Sequence, residues 1–162
     1  MSSKELDKAL TELCDAFNRY GVKYVVVGGF AVIMHGLARM TEDIDFFIED
    51  SAENIEKIKV ALKSLYNDPF IDELKSEDIK QYAVIRYGTP NDFNIDLIGK
   101  IGEGMISFKD VERDAEFFEV DDLRIPVCSL DMLIRMKKTI RNRDMRDLRF
   151  LKKKAEEKKN GR

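Results

Sequence analysis

Three aspartates occupy positions from which their carboxylates can act together. Asp43 and Asp45 enclose Ile44 at the start of a run of strand-forming residues, and Asp96 lies inside a second apolar run. Side chains alternate between the faces of a strand, so Asp43 and Asp45 project together while Ile44 and Phe46 turn to the core. An isolated ionised carboxylate in an apolar strand, such as Asp96, is costly without a nearby cation or donor.

Three carboxylates around one point form a set of hard oxygen ligands, which suits Mg²⁺ or Mn²⁺. These ions keep bound waters and recruit substrate phosphates, so the pattern favours metal-assisted phosphoryl transfer. In a two-metal arrangement, one ion neutralises a triphosphate and the other lowers the pKa of an attacking hydroxyl. We therefore predict Asp43, Asp45 and Asp96 as metal ligands and catalytic residues, with Asp96 serving the metal of the nucleophile.

Residues ahead of the aspartate pair are predicted to bind the phosphates of a nucleotide. Gly28 and Gly29 follow an apolar run, and their missing Cβ atoms would let backbone amides approach phosphate oxygens, with a helix N-terminus behind them. Arg39 lies on the expected loop at the mouth of the site, where a guanidinium can bind phosphate with two hydrogen bonds. Thr41 completes a Thr-x-Asp-x-Asp pattern.

Each of these features also has a plain structural interpretation. An Asp-x-Asp pair at a strand edge is by itself more often a solvated turn, a glycine pair is usually a turn, and Arg39 fits a surface arginine equally well. Asp96 also fits a core acid bonded to backbone or to an arginine. The ordered combination of strand, Gly-Gly, short helix, Thr-x-Asp-x-Asp strand and later in-strand aspartate favours the metal site.

The histidine and cysteines of the chain are predicted to be structural. His35 is the one histidine in the sequence, and no second histidine or cysteine accompanies it at a ligand spacing. Cys14 and Cys128 fall in apolar segments without metal-ligand spacing, which favours two buried thiols in a reducing cytosol.

Length and composition predict one compact domain, or one domain with a helical appendage, because 162 residues with 44% hydrophobic content can fill an ordinary core. A net charge of −3 gives no overall basic footprint for nucleic acid, although the C-terminal part is locally basic. The N-terminus lacks the apolar run of a signal peptide, and no later stretch would span a bilayer. We expect a cytoplasmic protein without a membrane partner.

Periodicity and turn residues predict the elements that position the site. We expect helices over 3–20, 30–35 and from Ser51 to about residue 65, strands over 23–27 and 44–48, and mainly loop with a short helix over 66–81. Strands at 82–87 and 93–98 form an antiparallel hairpin, and a glycine-bearing connection leads to a strand pair at 117–120 and 124–127. Residues from Ser129 form two helices and a charged tail that frays after Leu151.

The segments Val-Gly-Gly-Phe-Ala at 27–31, Gly-Leu-Ala-Arg-Met-Thr at 36–41 and Asp-Ile-Asp at 43–45 resemble a family signature. It is the glycine and Asp-x-Asp signature of the DNA polymerase β-like nucleotidyltransferase superfamily, closest to the small bacterial AbiEii-type nucleotidyltransferase toxins. The signature covers about a quarter of the chain and is fairly specific. The sequence departs from many members, because Gly29 stands where they have serine, so backbone amides must replace a hydroxyl contact to phosphate.

A second resemblance lies near the C-terminus. Members of the family have a helix in which a lysine is followed by Arg/Lys-Asp-x-x-Asp-Leu. The residues of this chain that resemble that pattern are Lys137, Lys138, Arg141, Arg143, Asp144, Arg146, Asp147 and Leu148. The resemblance implies that this helix closes over the site, with Lys137 or Lys138 near the triphosphate.

The expected fold is α/β (α+β), a nucleotidyltransferase fold with a mixed, mostly antiparallel sheet flanked by helices. Residues 1–128 would form the nucleotidyltransferase core, and residues 129–162 a C-terminal helical segment that packs on it as one structural unit. The implied reaction moves a nucleoside monophosphate from an NTP to a hydroxyl acceptor and releases pyrophosphate.

The acceptor stays open among an RNA 3′ end, a protein hydroxyl and a small molecule such as an antibiotic, as in aminoglycoside and lincosamide nucleotidyltransferases. The basic C-terminal part favours RNA slightly. The resemblance also implies a cognate antitoxin or toxin protein as a partner. A different class, a non-catalytic nucleotide-binding or antitoxin-like module with the same fold, stays open, although the intact Asp43, Asp45 and Asp96 argue against it.

Overall fold

The computed structural model describes residues 1–102, 105–139 and 145–160. The strands are β1 Tyr24–Val27, β2 Asp43–Ile48, β3 Val84–Gly88, β4 Asn94–Ile98, β5 Lys100–Ile101, β6 Ile106–Ser107, β7 Glu116–Val120 and β8 Leu123–Val127. The helices are α1 Ser3–Arg19, α2 Gly28–Met34, α3 Ala52–Leu65, α4 Ser76–Tyr82, α5 Phe108–Arg113, α6 Leu130–Thr139 and α7 Met145–Lys159, with a 3-10 helix at Pro69–Glu73.

A six-stranded mixed sheet forms the centre of the molecule, in the order β3-β4-β2-β1-β8-β7. The pairs β3–β4, β1–β2 and β7–β8 are antiparallel, whereas β2–β4 and β1–β8 are parallel. Strands β5 and β6 form a separate two-stranded sheet. The predicted class, a mixed and mostly antiparallel sheet flanked by helices, is confirmed.

Helix α1 covers one face of this sheet with an apolar side. Ser2 and Glu5 form the predicted capping box at its start, which satisfies backbone N–H groups that have no partner within the helix. The ring of Phe17 lies 4.9 Å from that of Phe46 and 5.2 Å from that of Tyr24, measured between centroids. Because Phe46 packs against α1, its neighbour Asp45 on β2 projects from the opposite face.

Several elements differ from the sequence prediction. The glycine pair is the first turn of α2 rather than a separate turn before residue 30. The 66–81 stretch is mainly helical, with the 3-10 helix and α4, because Asp68 caps the first of these and Ile71 and Ile79 are buried. The connection before β7 was predicted only as a glycine-bearing link, but it contains β5, β6 and α5.

The C-terminal helix also runs further than predicted. Helix α7 continues to Lys159 instead of fraying after Leu151. Leu151 is fully buried, and the ammonium of Lys158 lies 3.0 Å from a carboxylate oxygen of Glu116 on β7. These contacts explain the longer helix, while the predicted boundary at residues 128 and 129 stays a prediction. Within the described ranges, no helix combines the length and apolar character needed to cross a membrane.

Candidate active site

The parallel pairing of β2 with β4 brings the predicted acids together. Asp45 lies directly opposite Asp96, and Asp43 lies opposite Asn94. Ile44 is fully buried while the aspartates on either side of it are partly exposed, as the predicted alternation requires. Residues about fifty positions apart thus present carboxylates on one face of the sheet.

A guanidinium that the sequence analysis missed lies among these acids. Arg86 on β3 is the antiparallel partner of Asp96. Its Nε donates to Oδ1 of Asp96 at 2.8 Å, and its Nη2 donates to Oδ2 of Asp96 at 3.0 Å and to Oδ2 of Asp43 at 3.1 Å. These carboxylates raise the pKa of Arg86, chiefly through the hydrogen bonds with Asp96. The donor that Asp96 was expected to require is therefore Arg86.

Asp45 lies in a strongly perturbing electrostatic environment. Burial raises the pKa of Asp45 to about 7, and the charge and hydrogen bond of Asp96 and the charge of Asp43 act in the same direction. Its Oδ1 atom is buried, and no group in the described ranges hydrogen-bonds to it. A carboxylate oxygen in this condition is a natural ligand for a cation, because unpaired buried polar atoms are rare.

Gly28 lies against the Asp45 carboxylate. Its φ of +66° belongs to the left-handed region that favours glycine. A Cβ at this position would lie 2.1 Å from Oδ2 of Asp45, a distance that real Cβ atoms do not reach. Glycine is therefore required both by the backbone angle and by the neighbouring acid.

Gly29 is close to the two predicted phosphate-binding side chains. A Cβ there would lie 2.7 Å from Oγ1 of Thr41 and 3.8 Å from Cζ of Arg39. The Thr41 hydroxyl donates to the carbonyl of Asp43 at 3.2 Å, and Nε of Arg39 donates to the carbonyl of Met40 at 3.1 Å. The structure thus brings Arg39, Thr41 and the glycine pair together beside the acids.

The predicted lysines lie on another element. Lys137 and Lys138 belong to the last turn of α6, where Lys137 is half-buried and Lys138 is exposed. Neither lysine is among the charged groups that shift the pKa of Asp45. Their contact with a triphosphate stays a prediction. The remaining members of the C-terminal motif lie outside the described residues, either entirely or in their side chains: Arg141, Arg143, Asp144, Arg146, Asp147 and Leu148.

The donor set fits a hard divalent cation in its chemistry. Asp43, Asp45 and Asp96 supply carboxylate oxygens on one face, and the buried Oδ1 of Asp45 has no other partner among the described residues. In the arrangement seen here, no three acidic, histidine or cysteine side chains of the described ranges converge in a metal-binding geometry. The guanidinium of Arg86 instead takes both oxygens of Asp96 and one of Asp43.

His35 and the cysteines have the structural surroundings that the sequence predicted. His35 is buried, and its Nε2 lies 2.8 Å from the carbonyl oxygen of Cys128. Cys14 and Cys128 are buried free thiols. Burial raises the pKa of Cys14 to about 12 and raises that of Cys128 as well, so both thiols stay protonated and unreactive.

Two cavities flank the acids. One, of about 500 Å³, shares Arg86 with the site and is walled by apolar residues, the exposed rings of Phe70 and Tyr82, and the acids Glu73 and Asp78. The other, of about 340 Å³, includes Thr41 and Asp43 in its wall. Both volumes fall in the range of small-molecule sites.

Comparison with known proteins identifies a family for this chain. Residues 10–160 match the family model described as nucleotidyl transferase AbiEii toxin, Type IV TA system. A sequence search of curated proteins gives no significant match.

Solved structures share the fold. A candidate nucleotidyltransferase from Thermotoga maritima (TM1012) has a TM-score of 0.60 at 17% identity, covering 100% of this chain and 97% of that one. The lincomycin-bound lincosamide antibiotic adenylyltransferase LnuA has a TM-score of 0.59 at 17% identity, covering 94% and 97%. An antigenic nucleotidyltransferase-like protein from Paracoccidioides brasiliensis has 0.55 at 13% identity, covering 93% and 77%.

Proposed function

Because the chain belongs to the AbiEii family of nucleotidyl transferase toxins, we propose that it transfers a nucleoside monophosphate from an NTP to a hydroxyl acceptor, with release of pyrophosphate and dependence on Mg²⁺ or Mn²⁺. The observation that supports this reaction best is the placement of Asp43, Asp45 and Asp96 on one sheet face, with a buried Asp45 oxygen that lacks a partner in the described ranges.

Asp43, Asp45 and Asp96 would hold the divalent cation in this proposal. A bound cation of this type neutralises triphosphate charge and lowers the pKa of the attacking hydroxyl. Asp96, which lies opposite Asp45 on the adjacent strand, would orient that hydroxyl and accept its proton. The pKa of about 7 for Asp45 is a property of the metal-free site, and a bound cation would favour the ionised carboxylate.

The nucleotide phosphates would lie beside Gly28 and Gly29. The close backbone approach at Gly28 leaves no room for a side chain, and Arg39 and Thr41 border Gly29. Backbone amides and the Arg39 guanidinium are donors suited to phosphate oxygens. Lys137 and Lys138 would add positive charge from α6, as the family resemblance implies.

For the acceptor, the toxin–antitoxin context of the family favours a cellular macromolecule, either an RNA 3′ end or a protein hydroxyl. A second candidate is a small molecule, and the observation that favours it is the cavity of about 500 Å³ that shares Arg86 with the site. LnuA, whose fold is similar, was solved with lincomycin. A cognate antitoxin is the proposed protein partner, and the cytoplasm, with its NTP pool and reducing conditions, is the proposed location.

The test is incubation of the protein with each α-labelled NTP and Mg²⁺, offering total RNA, cell protein and an antibiotic panel as acceptors. Wild type should label one acceptor class and release pyrophosphate. The double variant Asp43→Asn/Asp45→Asn should lose turnover by orders of magnitude, and Asp96→Asn should keep nucleotide binding while losing turnover. Asp15→Asn, which changes an exposed aspartate paired with Arg19 on α1, is the matched control and should keep full activity.

Two results would contradict the proposal. Full turnover in the double variant would show that Asp43 and Asp45 have a structural role. A folded wild-type protein that binds NTP but releases no pyrophosphate with any acceptor would favour the non-catalytic module.

A further inference from the structure

Arg86 hydrogen-bonds three of the six carboxylate oxygens of the proposed metal site. We propose that Arg86 is a built-in competitor of the metal: its guanidinium holds Asp43 and Asp96 in the metal-free protein and leaves them when the ion binds. This inference rests on the proposed function, because it concerns the metal site of that reaction. Besides the three acids, the site then includes a fourth residue, Arg86, that controls how tightly the metal binds.

The hydrogen bonds of Arg86 show which carboxylate oxygens the guanidinium and a metal ion would share. Both oxygens of Asp96 and Oδ2 of Asp43 accept from the guanidinium at 2.8 to 3.1 Å. An inner-sphere cation binds through the lone pairs of carboxylate oxygens, which these hydrogen bonds engage. Arg86 thus engages three of the six oxygens of the three acids, including both of Asp96, so an ion that binds Asp96 must compete with the guanidinium. Oδ1 of Asp45, which is buried without a partner in the described ranges, does not by itself hold Mg²⁺ against water. The ion and the guanidinium therefore compete.

The surroundings of Arg86 allow its side chain to leave. Its side chain is 55% exposed, and it starts from β3, the edge strand of the main sheet. It also lines the cavity of about 500 Å³ whose wall includes the acids Glu73 and Asp78. A displaced guanidinium can therefore stay hydrated or face other carboxylates, so its release buries no unpaired charge.

Charge explains why such a competitor is useful. The three carboxylates lie on one face, with Asp45 directly opposite Asp96, and like charges so placed repel one another in the absence of a cation. The guanidinium offsets part of this repulsion in the resting protein. It also weakens binding of the bare ion, so that metal should enter mainly together with the negatively charged nucleotide, whose phosphates provide further ligands.

The experiment measures Mn²⁺ binding to the nucleotide-free protein, by calorimetry and by the electron paramagnetic resonance signal of free Mn²⁺. Arg86→Met removes the charge and keeps an unbranched stem, and it should bind Mn²⁺ about ten-fold or more tightly than wild type, because charge-assisted hydrogen bonds no longer have to be broken. Arg86→Lys keeps the charge but loses the two-pronged contact, so its gain should be smaller.

Matched variants locate the effect. Arg19→Met removes an exposed arginine that pairs with Asp15 at 2.7 Å on α1, and it should leave Mn²⁺ affinity unchanged. Adding Asp45→Asn to Arg86→Met should abolish the gain, which would place the ion at these carboxylates. Circular dichroism melts of each variant check folding, and if Arg86→Met does not fold, Arg86→Lys supplies the comparison.

Equal or weaker Mn²⁺ binding by folded Arg86 variants would overturn the inference and show that Arg86 is a brace that positions the acids. Absence of Mn²⁺ binding in every variant would overturn it too. The proposed function has a separate readout, pyrophosphate release by wild type. Metal-dependent turnover with unchanged Mn²⁺ affinity in Arg86→Met would therefore reject the competitor alone, whereas tighter binding without turnover would reject the catalytic proposal alone.

Discussion

The backbone of Gly28 approaches the carboxylate of Asp45 with a φ of +66°, and a Cβ there would lie 2.1 Å from Oδ2. An L-amino acid in this backbone region costs about 1–2 kcal/mol before any clash is counted. The glycine of the signature is thus tied to the second aspartate by direct contact. This contact links the two halves of the Gly-Gly and Asp-x-Asp pattern, which the sequence shows only as separate features.

The raised pKa of Asp45 predicts a pH-dependent stability. It is about 7 in the metal-free protein, whereas an unfolded aspartate titrates near 3.9. Between these values the native state binds a proton that the unfolded state has lost, so the stabilisation is complete below about pH 4 and disappears as the pH rises through about 7. Urea unfolding in EDTA should show stability falling by a few kcal/mol at most from pH 4 to pH 8.

Asp45→Asn stays neutral and should flatten this pH dependence, while Asp15→Asn on α1 should keep the wild-type slope. Parallel slopes for wild type and Asp45→Asn would show that Asp45 does not titrate in this range.

At the residue level, the sequence was sufficient to predict the three acids but not Arg86, which pairs with them. Strand alternation predicted that Asp43 and Asp45 share a face, and the apolar setting of Asp96 predicted a nearby donor or cation. Arg86 was missed because its contact depends on the register of the hairpin, which the turn residues at 88–92 do not fix uniquely. The available signal was a charged residue between Val84 and Gly88, on the face of the strand that alternation also gives to Asp96.

At the level of elements, the strongly periodic segments were predictable and the short ones were not. Helix α1, with its capping box, and α3, with Ser51 at its N-cap, follow amphipathic patterns with local start signals. Strand pairs joined by short turns also appeared, because Asp121 and Asp122 accept positive φ angles. Helix α4 and the 3-10 helix are too short for periodicity to show, and tertiary burial of Ile71 and Ile79 stabilises them.

Helix α7 should be part of the cooperative fold. Leu151 is fully buried, so Leu151→Ala should lower the free energy of unfolding by about 2–5 kcal/mol through lost burial and a cavity. The exposed Lys152 on the same helix is the control, and Lys152→Ala should change stability by no more than about 0.5 kcal/mol. Urea denaturation measures both. A Leu151→Ala variant as stable as wild type would mean that α7 folds independently of the core.

At the scale of the whole molecule, ligand binding should be visible as added stability. Ions and nucleotide that bind the native site, and hardly bind the unfolded chain, stabilise by about 2.7 kcal/mol at one hundred times the dissociation constant. For a domain of this size that corresponds to a rise in Tm of roughly 5–10 °C. We expect this rise with Mg²⁺ and NTP together and a small one with either alone, measured by scanning calorimetry. Identical melting curves under all conditions would argue against the site.

The fold of the whole chain was predictable at the level of class, because the order of strands, glycines and acids resembles a known family. The strand order was not predictable from the sequence, because the parallel pairing of β2 with β4 and of β1 with β8 joins residues far apart in sequence. Such pairings depend on packing of the complete sheet, for which a single sequence gives no local signal.

The pairing of β1 with β8 determines how long the nascent chain exposes the edge of β1. Val26 on β1 pairs with Val127, and the backbone N–H of Cys128 donates to the carbonyl of Val26 at 2.9 Å. The strands that hold the acids are synthesised well before β8, so β1 has an open, wholly apolar edge while the nascent chain already contains every site carboxylate. An unpaired apolar edge invites association with other chains. We therefore expect the growing polypeptide to expose this edge from synthesis of β1 until the arrival of β8.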